Sequence, residues 1–474
     1  MRVVLIHFHL NTGGVTTVVR QQTELLKALG HDVLLLAGSR PSEQWPAPIA
    51  VVPGLAYDTP ETRALNVPYE TAENILQAIN RVWPGRQPDL IHVHNPTLAK
   101  NRCLQAVLKR LQQADLPLLC QVHDFAEDGR PEVFFEEPYI ADCHYAVVNA
   151  RDRRILIGCG LLEKGVHHLP NAIRPLKWCD QAPAPDSGHV LYPVRAIRRK
   201  NIGEAILLQR CAFPETPLVI TLPPTSAADL PGYDMWRQFV ARHHLPVTFE
   251  AGLHNDFQHM MTDSRFLLTT SINEGFGFSF LEAWSAGRAL WGRLLPDICN
   301  DFIELGVDLA HLYPHLWIPL EWIDAQASKA SWQSARKRSA QRYGMPIPRD
   351  RIEAEWLEIT SGNRIDFGLL CERSQRAVID RVMAGKKMAS RDLIAFNPQL
   401  GRFGSAQVSR DLVKKNRDIV MEQFSLSGYS NRLIGIYEKV LSCPVKQRID
   451  KGALFSAFMT PSRFSLLKWS VFDG

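Results

Sequence analysis

The sequence predicts an α/β protein built from two doubly wound domains. Three observations lead to this fold class: a length of 474 residues, strand–turn–helix patterns that recur in both halves, and a proline-rich stretch between the halves. At roughly 150 residues per domain, this length suggests two or three folding units. Two large domains are the simplest arrangement.

The N-terminal half begins with a buried strand. Residues 3–8 are nearly all apolar, Gly13 and Gly14 form a turn, and apolar residues then recur at helical spacing up to Gly30. Gly30 stands where a helix C-cap glycine is expected. Further apolar runs follow at 33–36, 90–93, 118–122 and 146–148. This rhythm is typical of a parallel sheet with helices on both faces.

The predicted domain boundary is the proline-rich stretch, which places a first domain at 1–172 and a linker at 173–188. Strand-like runs resume at 189–193, 218–222, 247–250 and 266–270, within a second domain at 189–430. Inside it, residues 320–424 read as a charged helical insertion with anchors at Trp322, Trp332 and Trp356. We expect an amphipathic helix at 431–441 and a tail to 474 that together return to the first domain.

Composition excludes several function classes. The formal net charge is only +5, with 54 basic residues scattered among 49 acidic ones, so nucleic-acid binding is not expected. The nine cysteines show neither a C-x-x-C pair nor zinc spacing, and we expect reduced thiols. No signal peptide or membrane-spanning run is apparent, which predicts a cytoplasmic protein. A peripheral membrane contact through the basic helical stretch 100–111, and a homo-oligomer, are left open.

The segment 273–283 is the most informative motif. It follows a predicted strand and places Glu274 and Glu282 eight residues apart. Its glycines allow a tight turn, and the helix that begins near Ser279 would point free N–H groups at an anion such as a diphosphate. Glu274 would then reach sugar hydroxyls and Glu282 a ribose. The alternative is a plain turn with one solvated glutamate.

A basic loop follows the strand that ends at Pro193. Arg195 and Lys200 are five residues apart there and can converge on one diphosphate. Fixed cations stabilise the negative charge that a departing nucleoside diphosphate gains, and they could replace a metal ion. Because the sequence contains no D-x-D pair, we predict no metal. The alternative is a solvated basic loop.

His123 and Asp124 follow the strand at 118–122, at the sheet edge where open α/β proteins bind ligands. His92 and His94 lie on one face of another strand. With no carboxylate or third histidine nearby in the sequence, we interpret them as structural. Gly13 and Gly14 alone are a weak signal.

Taken together, these residues resemble the retaining GT-B glycosyltransferases of family 4, across most of residues 1–310. Gly13 and Gly14 resemble the family's acceptor-side glycine loop, and Arg195 and Lys200 match its diphosphate-binding pair. Glu274 and Glu282 match its E-x7-E motif. Residues 88–94 and 169–172 also resemble family segments. The chain departs from the family pattern at Val194 and Ala172, where the family usually has glycine.

The resemblance implies two facing Rossmann-like domains with a helical insertion and a C-terminal crossover helix. It implies transfer of a hexose from a nucleotide diphosphate sugar, UDP-glucose first and GDP-mannose next, to a small-molecule, glycan or lipid acceptor, without a cofactor. A GT-B phosphorylase or epimerase, or a non-catalytic sugar-nucleotide-binding subunit, are the alternatives.

The predicted catalytic residues are His123, Glu274, Arg195 and Lys200. The predicted donor-binding residues are Gly13, Gly14, Arg195, Lys200, Gly275, Phe276, Gly277, Phe278 and Glu282, and the predicted acceptor-binding residues are Asn11, Thr12 and Asp124.

Overall fold

The computed structural model describes residues 1–11, 13–59, 67–179, 188–402 and 408–472, without the side chains of Lys386 and Lys387. The chain divides into two compact units. The first unit comprises Met1–Ala172 and Phe424–Phe458, and the second comprises Ile173–Gln423 and Met459–Gly474. Thr12, one of the predicted acceptor-binding residues, lies outside the described residues.

The first unit contains a parallel sheet of seven strands in the order β3-β2-β1-β4-β5-β6-β7. The strands are β1 (Arg2–Ile6), β2 (Asp32–Ala37), β3 (Ile49–Val51), β4 (Leu90–His94), β5 (Leu118–Val122), β6 (His144–Val147) and β7 (Val166–His168). The order reverses between β1 and β4, so the loops that follow these two strands diverge there and leave a crevice of the kind that binds ligands.

Helices cover both faces of this sheet because alternate strand residues point in opposite directions. Val3 and Leu5 belong to one apolar cluster, and Val4 and Ile6 belong to the other. The helices of this unit are α1 (Gly14–Ala28), α2 (Pro68–Val82), α3 (Leu104–Gln113), α4 (Ala150–Gly158), α15 (Leu426–Ser442) and α16 (Lys451–Phe458). Tyr429 and Tyr437 anchor α15 in the first cluster.

The second unit contains a parallel sheet of five strands in the order β10-β9-β8-β11-β12. The strands are β8 (His189–Arg195), β9 (Leu218–Leu222), β10 (Val247–Thr248), β11 (Ser264–Thr269) and β12 (Leu290–Gly292). A separate antiparallel pair is formed by β13 (Trp317–Pro319) and β14 (Arg364–Asp366). The order of the five-stranded sheet reverses between β8 and β11.

The helices of the second unit are α5 (Ile202–Ala212), α6 (Leu230–Arg242), α7 (Phe257–Asp263), α8 (Ser279–Ser285), α9 (Pro296–Glu304), α10 (Ala325–Arg342), α11 (Arg349–Ile359), α12 (Glu372–Ala384), α13 (Lys386–Phe396), α14 (Arg410–Gln423) and α17 (Leu466–Trp469). Trp332 and Trp356 are buried there, whereas Trp322 is partly exposed beneath the Arg381 guanidinium. Within the described ranges, no helix is both long and apolar enough to cross a membrane.

The two parallel α/β sheets confirm the predicted fold class. The tail differs from the prediction, because residues beyond Phe458 belong to the second unit and not to the first. Trp332 explains the difference, since its ring packs against Phe464 and its indole N–H donates to the Phe464 carbonyl at 3.3 Å. Only Phe424–Phe458 rejoins the first unit.

Candidate functional site

In the second unit, the predicted donor residues lie on the loops after β8 and β11. These strands are hydrogen-bonded neighbours at the point where the strand order reverses. Loops at such a point part and leave a crevice outside the carboxyl ends of the strands. Arg195 is the last residue of β8, Lys200 belongs to the loop that follows it, and Glu274 belongs to the loop after β11.

Hydrogen bonds to backbone groups hold the two loops together. The Tyr192 hydroxyl donates to the Lys200 carbonyl at 2.6 Å and accepts from the Thr270 N–H at 3.2 Å. The Thr270 hydroxyl also bonds the Lys200 carbonyl, at 3.0 Å, and the Ile272 N–H donates to Arg199. The backbone that carries Lys200 is therefore fixed against the backbone that leads to Glu274.

Lys200 and Glu274 form a direct ion pair, in which Nζ donates to Oε1. Burial raises the pKa of Glu274, but the Lys200 ammonium and Arg199 outweigh it, so the pKa falls below its usual value. Burial lowers the pKa of Lys200, and Glu274 opposes this shift. The cation that the prediction assigned to a diphosphate thus lies beside the carboxylate that it assigned to a sugar.

The turn from β11 into α8 contains the predicted segment 275–278. Gly277 has φ +88°, and a Cβ there would lie 2.9 Å from the Phe280 ring, so the fold requires glycine. Glu282 lies in the first turn of α8, where burial raises the pKa of its carboxyl group and Lys200 lowers it. Lys200 is thus electrostatically coupled to both Glu274 and Glu282.

One cation of the basic loop, Arg198, is already engaged by other groups of the protein. The Arg198 guanidinium is bound by both carboxylate oxygens of Glu372, with Nη2 at 2.8 Å from Oε2, and by the Ser470 and Leu466 carbonyls. Arg195 donates only to the Pro223 carbonyl, at 3.1 Å, among the described residues. Arg198 is therefore engaged in contacts within the fold.

In the first unit, His123 and Asp124 follow β5 and are held by Asn95. The Asn95 side-chain oxygen accepts from the His123 N–H at 2.7 Å and from the Asp124 N–H at 3.3 Å. The His123 ring stacks on His94, with Nε2 at 3.1 Å from His94 Nδ1. Burial lowers the pKa of His123 to about 4, so the ring is neutral at pH 7.

The histidine cluster is larger than the sequence indicated. We expected no third histidine near His92 and His94, but His94 contacts His123 and its ring centroid lies 6.2 Å from that of His7. The reason is topological, because β1, β4 and β5 are neighbours in the sheet although far apart in sequence. His92 itself is structural, since its Nδ1 lies 2.9 Å from the Tyr437 hydroxyl.

The remaining predicted residues are Asn11 and Gly13 on the loop after β1, and Gly14 at the start of α1. The Asn11 N–H lies 3.3 Å from His9 Nδ1, and Asn11 is exposed. A Cβ at Gly14 would meet nothing within 4 Å, and at Gly13 it would be 3.8 Å from the nearest atom. Gly13 is extended, with φ 172°. Contrary to the expectation of a tight turn, the backbone does not require glycine at either position.

The sequence is similar to a glycosyltransferase family and to a named sugar-transferring synthase. Residues 13–161 match the family described as glycosyl transferase 4-like domain. The mannosylglucosyl-3-phosphoglycerate synthase of Petrotoga mobilis is 23% identical, over 92% of this chain and 91% of that protein. The chain is a glycosyltransferase with the GT-B fold, and it is similar to the family 4 group.

Solved structures share the fold of this glycosyltransferase. The glycosyltransferase of Rickettsia africae matches with a TM-score of 0.55 at 11% identity, covering 93% of this chain and 99% of the other. The Anabaena protein HepE, solved in complex with UDP, matches with a TM-score of 0.51 at 13% identity, covering 92% and 99%. At these identities the likeness concerns the fold.

Sequence reasoning missed the residues that support Lys200 in this glycosyltransferase. Asn201 adopts a left-handed conformation, with φ 53°, and its side chain donates to Glu204 at 2.7 Å. Arg293 binds Glu204 at 2.6 Å and Asp366 at 2.7 Å, and all three charges are buried. This network fixes the turn after Lys200. The only sequence signal is a glutamate in the otherwise apolar start of α5.

Proposed function

We propose that this glycosyltransferase moves a hexose from a nucleotide diphosphate sugar to its acceptor with retention of anomeric configuration and without a metal ion. The observation that carries the proposal is the Lys200–Glu274 pair at the strand-order reversal of the second sheet. It brings a cation suited to a diphosphate next to a carboxylate suited to sugar hydroxyls.

The second unit binds the donor in this proposal. An ammonium has three N–H donors, and Glu274 takes one from Lys200, which leaves two for diphosphate oxygens. Arg195 adds a second cation, and Glu282 binds the ribose. As the glycosidic bond breaks, the leaving diphosphate gains negative charge, and fixed cations stabilise it without reorganisation.

Retention needs no covalent nucleophile. A diphosphate oxygen accepts the proton of the acceptor hydroxyl on the face from which the diphosphate departs, so the new bond forms on that same face. Catalysis then rests on positioning and charge stabilisation. The first unit binds the acceptor through His123, Asp124 and the loop that includes Asn11, with Gly13 and Gly14 leaving space for a ligand to approach the backbone.

UDP-glucose is the first donor to test and GDP-mannose the second. HepE has been solved with UDP and with UDP-glucose. The Petrotoga relative is named for a mannosylglucosyl-3-phosphoglycerate product, and mannosyl transfer onto glucosyl-3-phosphoglycerate is one reaction that forms such a product. The assay therefore pairs both donors with that acceptor and with a panel of neutral sugars.

The test of the proposal is NMR of the product formed from an active donor and acceptor pair. The product is expected to keep the anomeric configuration of the donor. An inverted product would refute retention. Donor binding without release of nucleoside diphosphate, with every acceptor and with water, would instead favour a non-catalytic sugar-nucleotide-binding subunit.

Activity is expected to persist in excess EDTA. The positive charge at the diphosphate comes from Arg195 and Lys200 in this proposal, so removing divalent ions leaves turnover within about twofold of its initial value. Initial rates with and without EDTA measure this effect. Complete loss that Mg²⁺ or Mn²⁺ restores would show that the diphosphate is held by a metal.

A further inference from the structure

The carboxyl edge of the first sheet carries a group of cations and aromatic rings that the proposed donor chemistry does not use. We call Lys100, Arg130, Tyr57 and His9 the Lys100 cluster. Lys100 lies on the loop after β4 and Arg130 on the loop after β5, whereas His9 follows β1 and Tyr57 follows β3. The cluster thus lies at the same sheet edge as His123.

Contacts within the cluster are close. The Lys100 ammonium lies 5.1 Å from the centre of the Tyr57 ring. The His9 ring meets the same tyrosine edge-on, with 5.1 Å between ring centres. Tyr57 is 39% exposed and Lys100 is partly buried, so the cluster is open to solvent on one side.

Lys100 lacks a matched counter-charge. Among the described residues, no carboxylate is in ion-pair contact with its ammonium, which lies over the Tyr57 ring. Arg130 has loose partners, with 3.6 Å between its Nη1 and Asp124 Oδ2 and 3.8 Å between its Nε and Glu132 Oε1. The Ala99 N–H donates to the Val133 carbonyl at 2.7 Å, and the Val133 N–H donates to the Arg130 carbonyl at 3.1 Å, so the two incompletely neutralised cations lie on adjoining segments.

The pKa shifts of Lys100 and His9 are consistent with these contacts. Burial and then Arg130 lower the pKa of Lys100, while Glu132 and Asp124 oppose the shift more weakly. Burial and then Lys100 lower the pKa of His9. Placing like charges together in a partly desolvated position is unfavourable unless an anion joins them.

We infer that Lys100 and Arg130 bind a phosphate or carboxylate group of the acceptor, which makes the acceptor an anionic sugar derivative. The inference rests on the proposed function for the acceptor role, but the anion site is a property of the first unit alone. Charge-assisted hydrogen bonds from Lys and Arg to phosphate or carboxylate are the strongest that side chains make. Tyr57 and His9 offer ring surface beside that anion.

The experiment titrates the full chain, free of donor, with 3-phosphoglycerate by isothermal calorimetry, with glycerol as the neutral comparison. Wild type is expected to bind 3-phosphoglycerate and not glycerol. Lys100→Met and Arg130→Met are each expected to weaken binding about tenfold or more, because each removes a charge-assisted contact. Lys100→Arg keeps the charge and is expected to retain most of the affinity.

Lys109→Met is the matched control, since Lys109 is an exposed lysine on α3 in the same unit. It is expected to bind as wild type does. The melting temperature of Lys100→Met is expected to equal or exceed that of wild type, because the substitution relieves repulsion from Arg130. A clear fall in melting temperature with unchanged anion affinity would show that Lys100 serves the fold by packing on Tyr57.

No binding by wild type, or equal affinity in wild type and Lys100→Met, would overturn the inference. Phosphatidylglycerol vesicles separate a lipid phosphate from a soluble one: sedimentation that depends on Lys100, without 3-phosphoglycerate binding, would overturn the soluble acceptor. UDP affinity is expected to stay unchanged in Lys100→Met. Absent UDP binding and absent transfer, with Lys100-dependent anion binding intact, would count against the proposed function and leave the anion site standing.

Discussion

Replacing Glu274 with glutamine is expected to lower turnover by roughly two to three orders of magnitude while the protein stays folded. Glutamine keeps the shape of the side chain but removes the charge beside Lys200. In the proposed function that carboxylate holds the donor sugar, so its loss misplaces the reacting carbon relative to the diphosphate. Steady-state rates with saturating donor, together with thermal unfolding, measure the two effects.

The Glu274→Gln variant is also expected to lose some stability, because the largely buried Lys200 ammonium remains without its counter-ion. Glu355→Gln is the matched control, since Glu355 is a buried glutamate of the second unit whose Oε2 accepts from Arg336 Nε at 2.9 Å. Breaking that pair is expected to destabilise the fold by about 3 kcal/mol and leave the rate per folded molecule unchanged. If Glu274→Gln behaved as this control does, Glu274 would be a structural residue.

The sequence predicted where along the chain the two charged segments of the second unit lie. Loops after neighbouring strands must meet at one sheet edge, and the strand patterns placed the basic loop after β8 and the glutamate turn after β11. The predicted runs 189–193 and 266–270 overlap the observed strands His189–Arg195 and Ser264–Thr269. What the pattern could not supply was the neighbour relation itself, which depends on the reversal of strand order.

Short elements escaped prediction for lack of signal. The strands Ile49–Val51, Val166–His168 and Leu290–Gly292 have three residues each, too few for a period to be visible. Their pairing partners supply the stability that their own sequences do not. The same is true of the tail, whose packing on the second unit depends on a tryptophan of α10 more than a hundred residues earlier.

Ion pairs between residues far apart in the chain could not be predicted from the sequence either. Arg293 and Glu204 are separated by 89 residues, and Arg198 and Glu372 by 174. Neither pair has a spacing rule, since only the tertiary fold brings the partners together. The partner of Arg198 is therefore known only from the structure.

His123→Ala is expected to reduce turnover by roughly one to three orders of magnitude and leave nucleotide affinity nearly unchanged. The ring is neutral, because burial lowers its pKa to about 4. A neutral imidazole carries one proton, so if Nε2 accepts a hydrogen bond from His94 Nδ1, the proton lies on Nδ1 and can be donated to a sugar hydroxyl. The nucleotide, by contrast, is assigned to Arg195 and Lys200 of the second unit.

His144→Ala is the matched control for this prediction. His144 is also buried in the first sheet and stacked on another histidine, with its Nδ1 at 2.9 Å from His167 Nε2. It begins β6, however, and therefore lies at the amino edge of the sheet, opposite the loops that bind ligand. Its loss is expected to lower the melting temperature without changing turnover per folded molecule. Steady-state kinetics and calorimetry with UDP compare the two variants, and a loss of UDP affinity in His123→Ala as large as its loss of turnover would show that His123 acts on the nucleotide and not on the sugar.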